Sequence, residues 1–171
     1  MGLFTGEFIF KWDPDGRTMT LVNPLSYTDP KGTIWEVPAG ATTDGASIPR
    51  LLWTIAGGPF EGKYRTAAVI HDYYCETKTR PWRNTHLVFY DAMRTAGMDE
   101  LPAKTYYAAV YYFGPRWGIG TASKGPGGQR DLSEEEQRQV LDDLRSWINR
   151  EHPDVATIAE RLDVSDPVTL R

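Results

Sequence analysis

The chain has 171 residues, a formal net charge of −4, and 40% hydrophobic against 25% charged residues. This length suits one folded domain with an appendage, and the acidic balance argues against a dedicated nucleic-acid-binding protein, which usually has a basic patch. No apolar run is long enough for a transmembrane helix, no secretory signal is recognisable at the N-terminus, and the single cysteine, Cys75, excludes an intramolecular disulfide framework.

The first forty residues have the composition of β structure. Short aromatic and β-branched runs are separated by Asp-Pro-Asp-Gly at residues 13–16 and Asp-Pro-Lys-Gly at residues 29–32, which are turn sequences. The pattern predicts a meander of three short strands, over residues 6–12, 18–22 and 33–37.

Helical patterns follow from Ser47 onward. Ser47 is predicted to cap a short helix that opens with Ile48 and Pro49 and reaches about Ile55, because serine is a favoured cap and proline is tolerated in a first turn. Glycine and proline punctuation then predicts three longer helices, over residues 64–76, 81–96 and 102–113.

A glycine-rich stretch, residues 118–130, divides the rest of the chain and is typical of a linker. It separates a predicted core domain, residues 1–117, from a helical appendage, residues 131–171. The appendage begins with a capping-box sequence at residues 133–136 and continues as an amphipathic helix, with a last short helix from Pro153. We expect the apolar face of the amphipathic helix to dock a partner through Val140, Leu144, Trp147 and Ile148.

Together these elements predict an α+β fold. We expect a small antiparallel N-terminal sheet packed on a bundle of three to four helices, followed by the C-terminal helical appendage. An alternating order of strands and helices in one parallel sheet would contradict this prediction.

The dipeptide His71-Asp72, in the middle of the helix predicted over residues 64–76, is the centre of the candidate chemistry. His71 shares a helix face with Cys75, four residues on. The turn to the next helix is short, so His86 can face His71 across a hairpin. Asp44, in the loop that precedes these helices, could close the site from above, together with Ser47.

Two chemistries suit this set of side chains. In the first, His71 acts as a general base on water, and Asp72 and Asp44 complete a catalytic site. In the second, a divalent metal, zinc or calcium, is held by His71, His86 and Cys75. A purely structural alternative stays open, in which His71 is a buried, hydrogen-bonded histidine and Cys75 is a small buried hydrophobic residue.

Two segments carry a family resemblance. VPAGATTDGASIPRLLW at residues 37–53 and GKYRTAAVIHDYYC at residues 62–75 closely resemble the phage and prophage family called the domain of unknown function 1353, over about residues 5–115. The resemblance implies a phage-encoded, virion-associated protein, expected to be a tail, baseplate or adaptor component that binds other phage proteins or itself, in the virion or the host cytoplasm. The alternative is a small metal- or histidine-dependent hydrolase of peptidoglycan, amides, esters or lipids that uses His71 and Asp72.

The His-Asp helix is also similar, locally, to that of the secreted phospholipases of the A2 class. That similarity implies His71 as the general base and Asp72 as a calcium ligand. Cys75 stands where the phospholipase motif has tyrosine. The aspartate that orients the histidine would fall near His86 or be replaced by Asp91.

Overall fold

In the computed structural model, the described residues are 1–45, 47–52, 64–118 and 132–164. Their N-terminal part forms two small antiparallel sheets of three strands each. The first sheet has the order β1–β4–β5, with β1 at Leu3–Thr5, β4 at Leu25–Thr28 and β5 at Ile34–Val37. The second has the order β2–β3–β6, with β2 at Phe10–Trp12, β3 at Met19–Leu21 and β6 at Thr42–Thr43.

The α+β prediction is confirmed, but the single meander is wrong. Of the strand predicted over residues 6–12, only residues 10–12 form one, and a further strand at residues 3–5 ends at Gly6, which turns the chain with a φ of +98° and packs closely on Pro24. A Cβ at Gly6 would lie 2.7 Å from the carbonyl oxygen of Pro24, so the turn requires glycine. The turn separates β1 from β2, and each strand pairs in a different sheet.

Five helices have bounds within the described residues: α1 at Arg65–Thr77, α2 at Trp82–Thr95, α3 at Glu100–Phe113, α4 at Glu134–Glu151 and α5 at Val155–Val164. Of the short helix predicted after Ser47, residues 50–52 are helical, and the part beyond Leu52 lies outside the described residues. Among the described helices, none has the length and apolarity that crossing a membrane requires.

Helices α1 and α2 form an antiparallel hairpin that fixes the position of the His-Asp motif. Lys78 ends α1 in the left-handed conformation, with its N–H bonded to the carbonyl oxygen of Tyr74, and Pro81 precedes the first turn of α2. The connection is four residues long, so the two helices must lie side by side. Helix α1 also contacts β5 and β6, so its residues lie between the sheets and α2.

The main core fills the space between the first sheet and helices α1 to α3. Tyr27, Trp35, Ile70, Phe89 and Tyr106 are among its members, and each has 2% or less of its surface exposed. The polar tip of Tyr27 bonds the hydroxyl of Thr95, which lets a large amphipathic ring be buried without an unpaired group.

Helices α4 and α5 pack on α3 and complete a second apolar cluster with Tyr107 and Tyr111. The capping box predicted at the start of α4 is present between Ser133 and Glu136. The face predicted to dock a partner is covered by the same chain: Leu144, Trp147 and Ile148 are buried in this cluster, and Val140 is partly buried against it. Apart from Gly118, the predicted linker lies outside the described residues, so the division into a core domain and an appendage stays a prediction.

Candidate functional site

A cavity of about 490 Å³ opens where the second sheet meets α1. This size is within the usual range of small-molecule sites. Hydroxyl, carboxylate and thiol side chains contribute to its wall, from the residue before β3, from β6, from the loop after β6 and from α1. The described residues that line it are Thr18, Thr42, Thr43, Asp44, Ser47, Asp72, Cys75, Glu76 and Pro115.

A continuous line of hydrogen bonds runs from Ser47 at the cavity wall through both helices of the hairpin to Pro115, which also lines the cavity. The hydroxyl oxygen of Ser47 lies 3.2 Å from Nδ1 of His71. Nε2 of His71 lies 2.8 Å from Nδ1 of His86, and Nε2 of His86 lies 3.1 Å from the carbonyl oxygen of Pro115. Ser47 is partly buried at the cavity wall, and neither histidine has any exposed surface.

The last bond in this line determines the direction of all the others. A carbonyl oxygen can only accept, so Nε2–H of His86 donates to Pro115, and Nδ1 of a neutral His86 is left as an acceptor. Nε2–H of His71 therefore donates to His86, and the lone pair on Nδ1 of His71 faces Ser47. The Ser47 hydroxyl then donates its proton to His71, which is the arrangement of a nucleophile and its base.

Burial keeps both imidazoles neutral. It lowers the pKa of His71 well below the ordinary 6.5, and the neighbouring His86 lowers it further. Burial also lowers the pKa of His86 to about 3, although the bond to the Pro115 carbonyl partly opposes this effect. At neutral pH, His71 is therefore unprotonated and its Nδ1 is available as a base.

The thiol of Cys75 lies beside the same imidazole. Its Sγ is 3.9 Å from Nδ1 and 3.6 Å from Nε2 of His71, and the residue is 7% exposed. Burial, together with the charge of Asp72, raises the pKa of this thiol well above its ordinary value. Since the thiolate is the reactive form of cysteine, Cys75 is held in its unreactive state.

The donor atoms of His71, Cys75 and His86 all lie within 4.8 Å of one another, as the predicted metal site requires. The two imidazoles are nevertheless joined directly, at 2.8 Å, by a hydrogen bond. Two nitrogens bound to one tetrahedral zinc ion lie about 3.3 Å apart, and both lone pairs point at the metal. A zinc ion would therefore require this hydrogen bond to break, and calcium, which takes oxygen ligands, does not suit this nitrogen and sulfur set.

Asp72 is buried beside the cavity but does not contact the imidazole line. The hydroxyl of Thr43 donates to its Oδ2, whereas Oδ1 has no hydrogen-bond partner among the described residues. Burial raises the pKa of Asp72 to about 7 against the lowering effect of the Thr43 bond, and the charge of Asp44 raises it further. Asp44 lines the exposed side of the cavity, so the structure places both predicted carboxylates at this wall.

The structure thus brings His71, Cys75 and His86 together and places Ser47 against them. Sequence reasoning assigned Ser47 chiefly to a helix cap, because no local motif such as Gly-x-Ser-x-Gly marks it as a nucleophile. Its one signal was its place in the TDGASIP segment, two residues before proline and directly ahead of the His-Asp helix.

The expected phospholipase arrangement is not supported. The side chain that faces His71 is His86, not an aspartate. Asp91 lies elsewhere, where burial raises its pKa to about 6 and the charge of Asp29 raises it further.

Comparison with known proteins gives relatives of the segment that contains this site. The sequence model of the family described as protein of unknown function (DUF1353) matches residues 19–110. The uncharacterized protein y4jT of Sinorhizobium fredii is 49% identical over 117 residues, which is 68% of this chain and 34% of that protein. The uncharacterized protein y4iH of the same organism is 46% identical over 116 residues, 67% of this chain and 48% of that protein. The chain therefore spans about a third and about half of these relatives, and no solved structure matches it.

Proposed function

We propose that this chain, which belongs to the DUF1353 family, is a hydrolase of ester or amide bonds, with Ser47 as the nucleophile and His71 as the general base. One observation carries this proposal: the hydrogen-bonded line Ser47–His71–His86–Pro115, which begins at the wall of a cavity and has a defined proton direction. Serine and its base lie within hydrogen-bond distance, and a third group orients the base.

The reaction uses the bonds already present. As the Ser47 oxygen attacks the acyl carbon, its proton passes to Nδ1 of His71, and His71 then gives that proton to the leaving alcohol or amine. The acyl group is left on Ser47 as an ester. Water enters, gives a proton to the same nitrogen and attacks this ester, which releases the acid and returns the proton to Ser47.

His86 acts through His71 as a positioning residue. Its Nδ1 accepts the Nε2–H of His71 and so keeps the lone pair of His71 on the nitrogen that faces Ser47. The Pro115 carbonyl holds His86 in the matching tautomer. Both histidines are completely buried, so water does not compete for the bond between His71 and His86, whereas the partly buried Ser47 end of the line lies at the cavity wall.

Ser47 is favoured over Cys75 as the nucleophile, although both line the cavity. The serine proton has an acceptor 3.2 Å away, whereas burial and the charge of Asp72 raise the pKa of the Cys75 thiol against the opposing effect of its hydrogen bond with Ser47. The thiol also has no contact with His71 shorter than 3.6 Å.

The test is a fluorophosphonate probe, which forms a covalent bond with activated serine hydroxyls, followed by peptide mass spectrometry and assays with 4-nitrophenyl esters. We expect the label on Ser47, and the loss of both labelling and hydrolysis in Ser47→Ala. Ser146→Ala on the exposed face of α4 is the matched control and should match the wild type. Equal labelling or equal turnover in Ser47→Ala would remove the proposal, and loss of turnover in Cys75→Ser alone would transfer the nucleophile to the thiol.

The virion-associated role expected from the family resemblance stays a separate prediction. A serine hydrolase site is compatible with it, since a particle can carry an enzyme. Mass spectrometry of purified particles tests it, and stoichiometric copurification is the expected result.

A further inference from the structure

Asp72 ties the loop that carries Ser47 to helix α1. The Thr43 hydroxyl donates to Oδ2 of Asp72, and each of these two residues has 8% of its surface exposed. Burial raises the pKa of the Asp72 carboxyl, and the bonds that it accepts from Thr43 and from the Gly45 N–H partly oppose that effect. Thr43 is the last residue of β6, so these bonds attach the chain to α1 where the strand becomes the loop.

Further hydrogen bonds transmit this attachment to Ser47. Because the Thr43 hydroxyl gives its proton to Asp72, its lone pairs are left to accept, and the Gly45 N–H donates to it at 3.2 Å. Gly45 has a φ of +71°, which glycine adopts without steric cost, and its carbonyl oxygen accepts the N–H of Ile48 at 3.1 Å. Ser47 lies between Gly45 and Ile48 in the chain, so its position depends on theirs.

The loop meets α1 at two successive residues of the helix. The hydroxyl oxygen of Ser47 is 3.2 Å from Nδ1 of His71, and Asp72 directly follows His71 in the chain. Successive side chains of an α-helix point about 100° apart, so the two contacts hold the loop at two places around α1. A single contact would let the loop rotate about it, and the second contact prevents this rotation. Asp72 can therefore fix Ser47 relative to its base without touching the imidazole.

We propose that Asp72 is a positioning residue of the hydrolase site, which acts through Thr43 and the loop to hold Ser47 within hydrogen-bond distance of His71. Asp72 takes no part in proton transfer. This inference rests on the proposed hydrolase function for its effect on turnover alone. Its structural part, the dependence of the Ser47–His71 bond on Asp72, requires no substrate, so the two can fail separately.

The Ser47–His71 bond is measured first, through the ¹⁵N chemical shift of His71 Nδ1 in the full-length protein, because this shift responds to a donor at the nitrogen lone pair. We expect Asp72→Ala and Thr43→Val each to move the shift toward its value in Ser47→Ala, where the bond is absent. Asp72→Asn, which keeps an acceptor for Thr43, should move it less. Thr95→Val is the matched control, since it removes a side-chain hydrogen bond at the last residue of α2, outside the cavity wall. A shift that stayed at the wild-type value in either Asp72→Ala or Thr43→Val would overturn the inference.

Turnover is measured second, with 4-nitrophenyl esters. We expect kcat to fall about 100-fold in Asp72→Ala and in Thr43→Val, with KM little changed, because a displaced nucleophile loses rate rather than binding. Thr43→Ser, which keeps the hydroxyl, should recover most of the kcat lost in Thr43→Val. The double variant Asp72→Ala, Thr43→Val should be no slower than the slower single variant, since both substitutions break the same bond.

The possible failures are distinguishable. Equal loss of kcat in Asp72→Asn and Asp72→Ala would overturn the inference, because the charge itself would then act in the reaction. Losses that multiply in the double variant would also overturn it. If Ser47→Ala is inactive while Asp72→Ala and Thr43→Val keep their kcat, the inference fails and the hydrolase proposal stands. If the Nδ1 shift responds as expected in a protein that hydrolyses nothing, the positioning of Ser47 by Asp72 stands and the hydrolase proposal fails.

Discussion

The region of the cavity wall on α1 and the packed layer of α4 and α5 differ in the side chains that they bury, which are polar in the first and apolar in the second. At and behind the cavity wall, α1 and α2 bury His71, Asp72 and His86, and one carboxylate oxygen of Asp72 has no partner among the described residues. The α4–α5 layer buries Leu144, Trp147 and Ile158 and keeps its charged residues exposed. Burial in the first region therefore destabilises the folded protein, and burial in the second region stabilises it.

This difference teaches where function resides in the molecule. Buried polar networks are costly unless every member is paired, so an incompletely paired network is a candidate site for a ligand. The two regions meet at α3, since Tyr111 lies near the ring of His86 and also bonds Asp163 of α5. Substitutions of Ser47, His71 and His86 should change activity more than stability, and substitutions in the α4–α5 layer should do the reverse.

The largest expected effect is on catalysis, from His86→Gln. Glutamine can keep a donor near the Pro115 carbonyl but loses the acceptor at Nδ1 that holds the tautomer of His71. We expect kcat/KM to fall on the order of 10³-fold, equivalent to about 4 kcal/mol, with KM little changed.

His86→Asn is the matched variant for that experiment. Asparagine can keep the acceptor for His71 and loses the donor to Pro115, so the kcat/KM of His86→Asn should fall only about tenfold. Thermal unfolding should show a similar loss of stability in His86→Asn and His86→Gln. If kcat/KM fell by the same factor in both variants, in parallel with their equal loss of stability, His86 would be a packing residue. The two regions would then no longer differ in whether substitutions act on activity or on stability.

The next largest effect is on stability, from Trp147→Ala. The Trp147 ring is 5% exposed, donates from Nε1 to Glu151, and lies 4.3 Å from the guanidinium of Arg161. Its removal should lower the free energy of unfolding by about 3 kcal/mol and leave kcat/KM of the folded protein unchanged. Denaturant unfolding measures this, with the exposed Asn149→Ala as the control. A stable Trp147→Ala that had lost a partner protein would restore the docking role predicted from the sequence.

Local sequence signals predicted the elements of the fold better than their arrangement. The capping box at Ser133 and the glycine and proline punctuation around α1 to α3 depend on neighbouring residues, so the sequence contains them directly. That the α4 face is covered by α3 depends on contacts between distant segments, which periodicity cannot assign to a partner. An amphipathic face looks the same whether its own chain or another protein covers it.

The candidate site also has one part that neighbouring residues predict and another that depends on contacts between distant segments. The facing of His71 and His86 could be predicted because a short turn joins their helices. The role of Ser47 could not, since its proximity to His71 arises from the meeting of a loop and a helix 24 residues apart. Likewise, the position of Asp72 in the helix could not show that one of its oxygens would be unpaired.

Asp72→Asn should increase stability, in contrast to Trp147→Ala. Burial raises the pKa of Asp72 to about 7 from 3.8, so above pH 7 the native state contains a carboxylate that is less favourable than in the unfolded chain. Asparagine can still accept the Thr43 bond and removes that charge. We expect a gain of roughly 2 kcal/mol in the free energy of unfolding at pH 8.

The pH dependence of that gain is the check on its cause. Between pH 7 and 3.8 the native Asp72 binds more protons than the unfolded one, so its cost falls as the pH falls and is absent below pH 3.8. The advantage of Asp72→Asn should shrink over the same range in urea unfolding at several pH values. A gain that did not depend on pH would show that the carboxylate charge is not its source.

The smallest effect is expected at the start of α4, from Ser133→Ala. The Ser133 hydroxyl accepts the N–H of Glu136 at 3.2 Å, and the Glu136 carboxylate accepts the N–H of Ser133 at 2.7 Å, both at an exposed helix end. Loss of this cap should cost about 1 kcal/mol, visible as a lower unfolding midpoint and faster amide exchange in the first turn of α4. Because water can replace the lost acceptor there, nothing in the cavity has to move, and kcat/KM should be unchanged. A change in kcat/KM would mean that α3 transmits the state of α4 to His86 through Tyr111, and the two regions would then be one coupled unit.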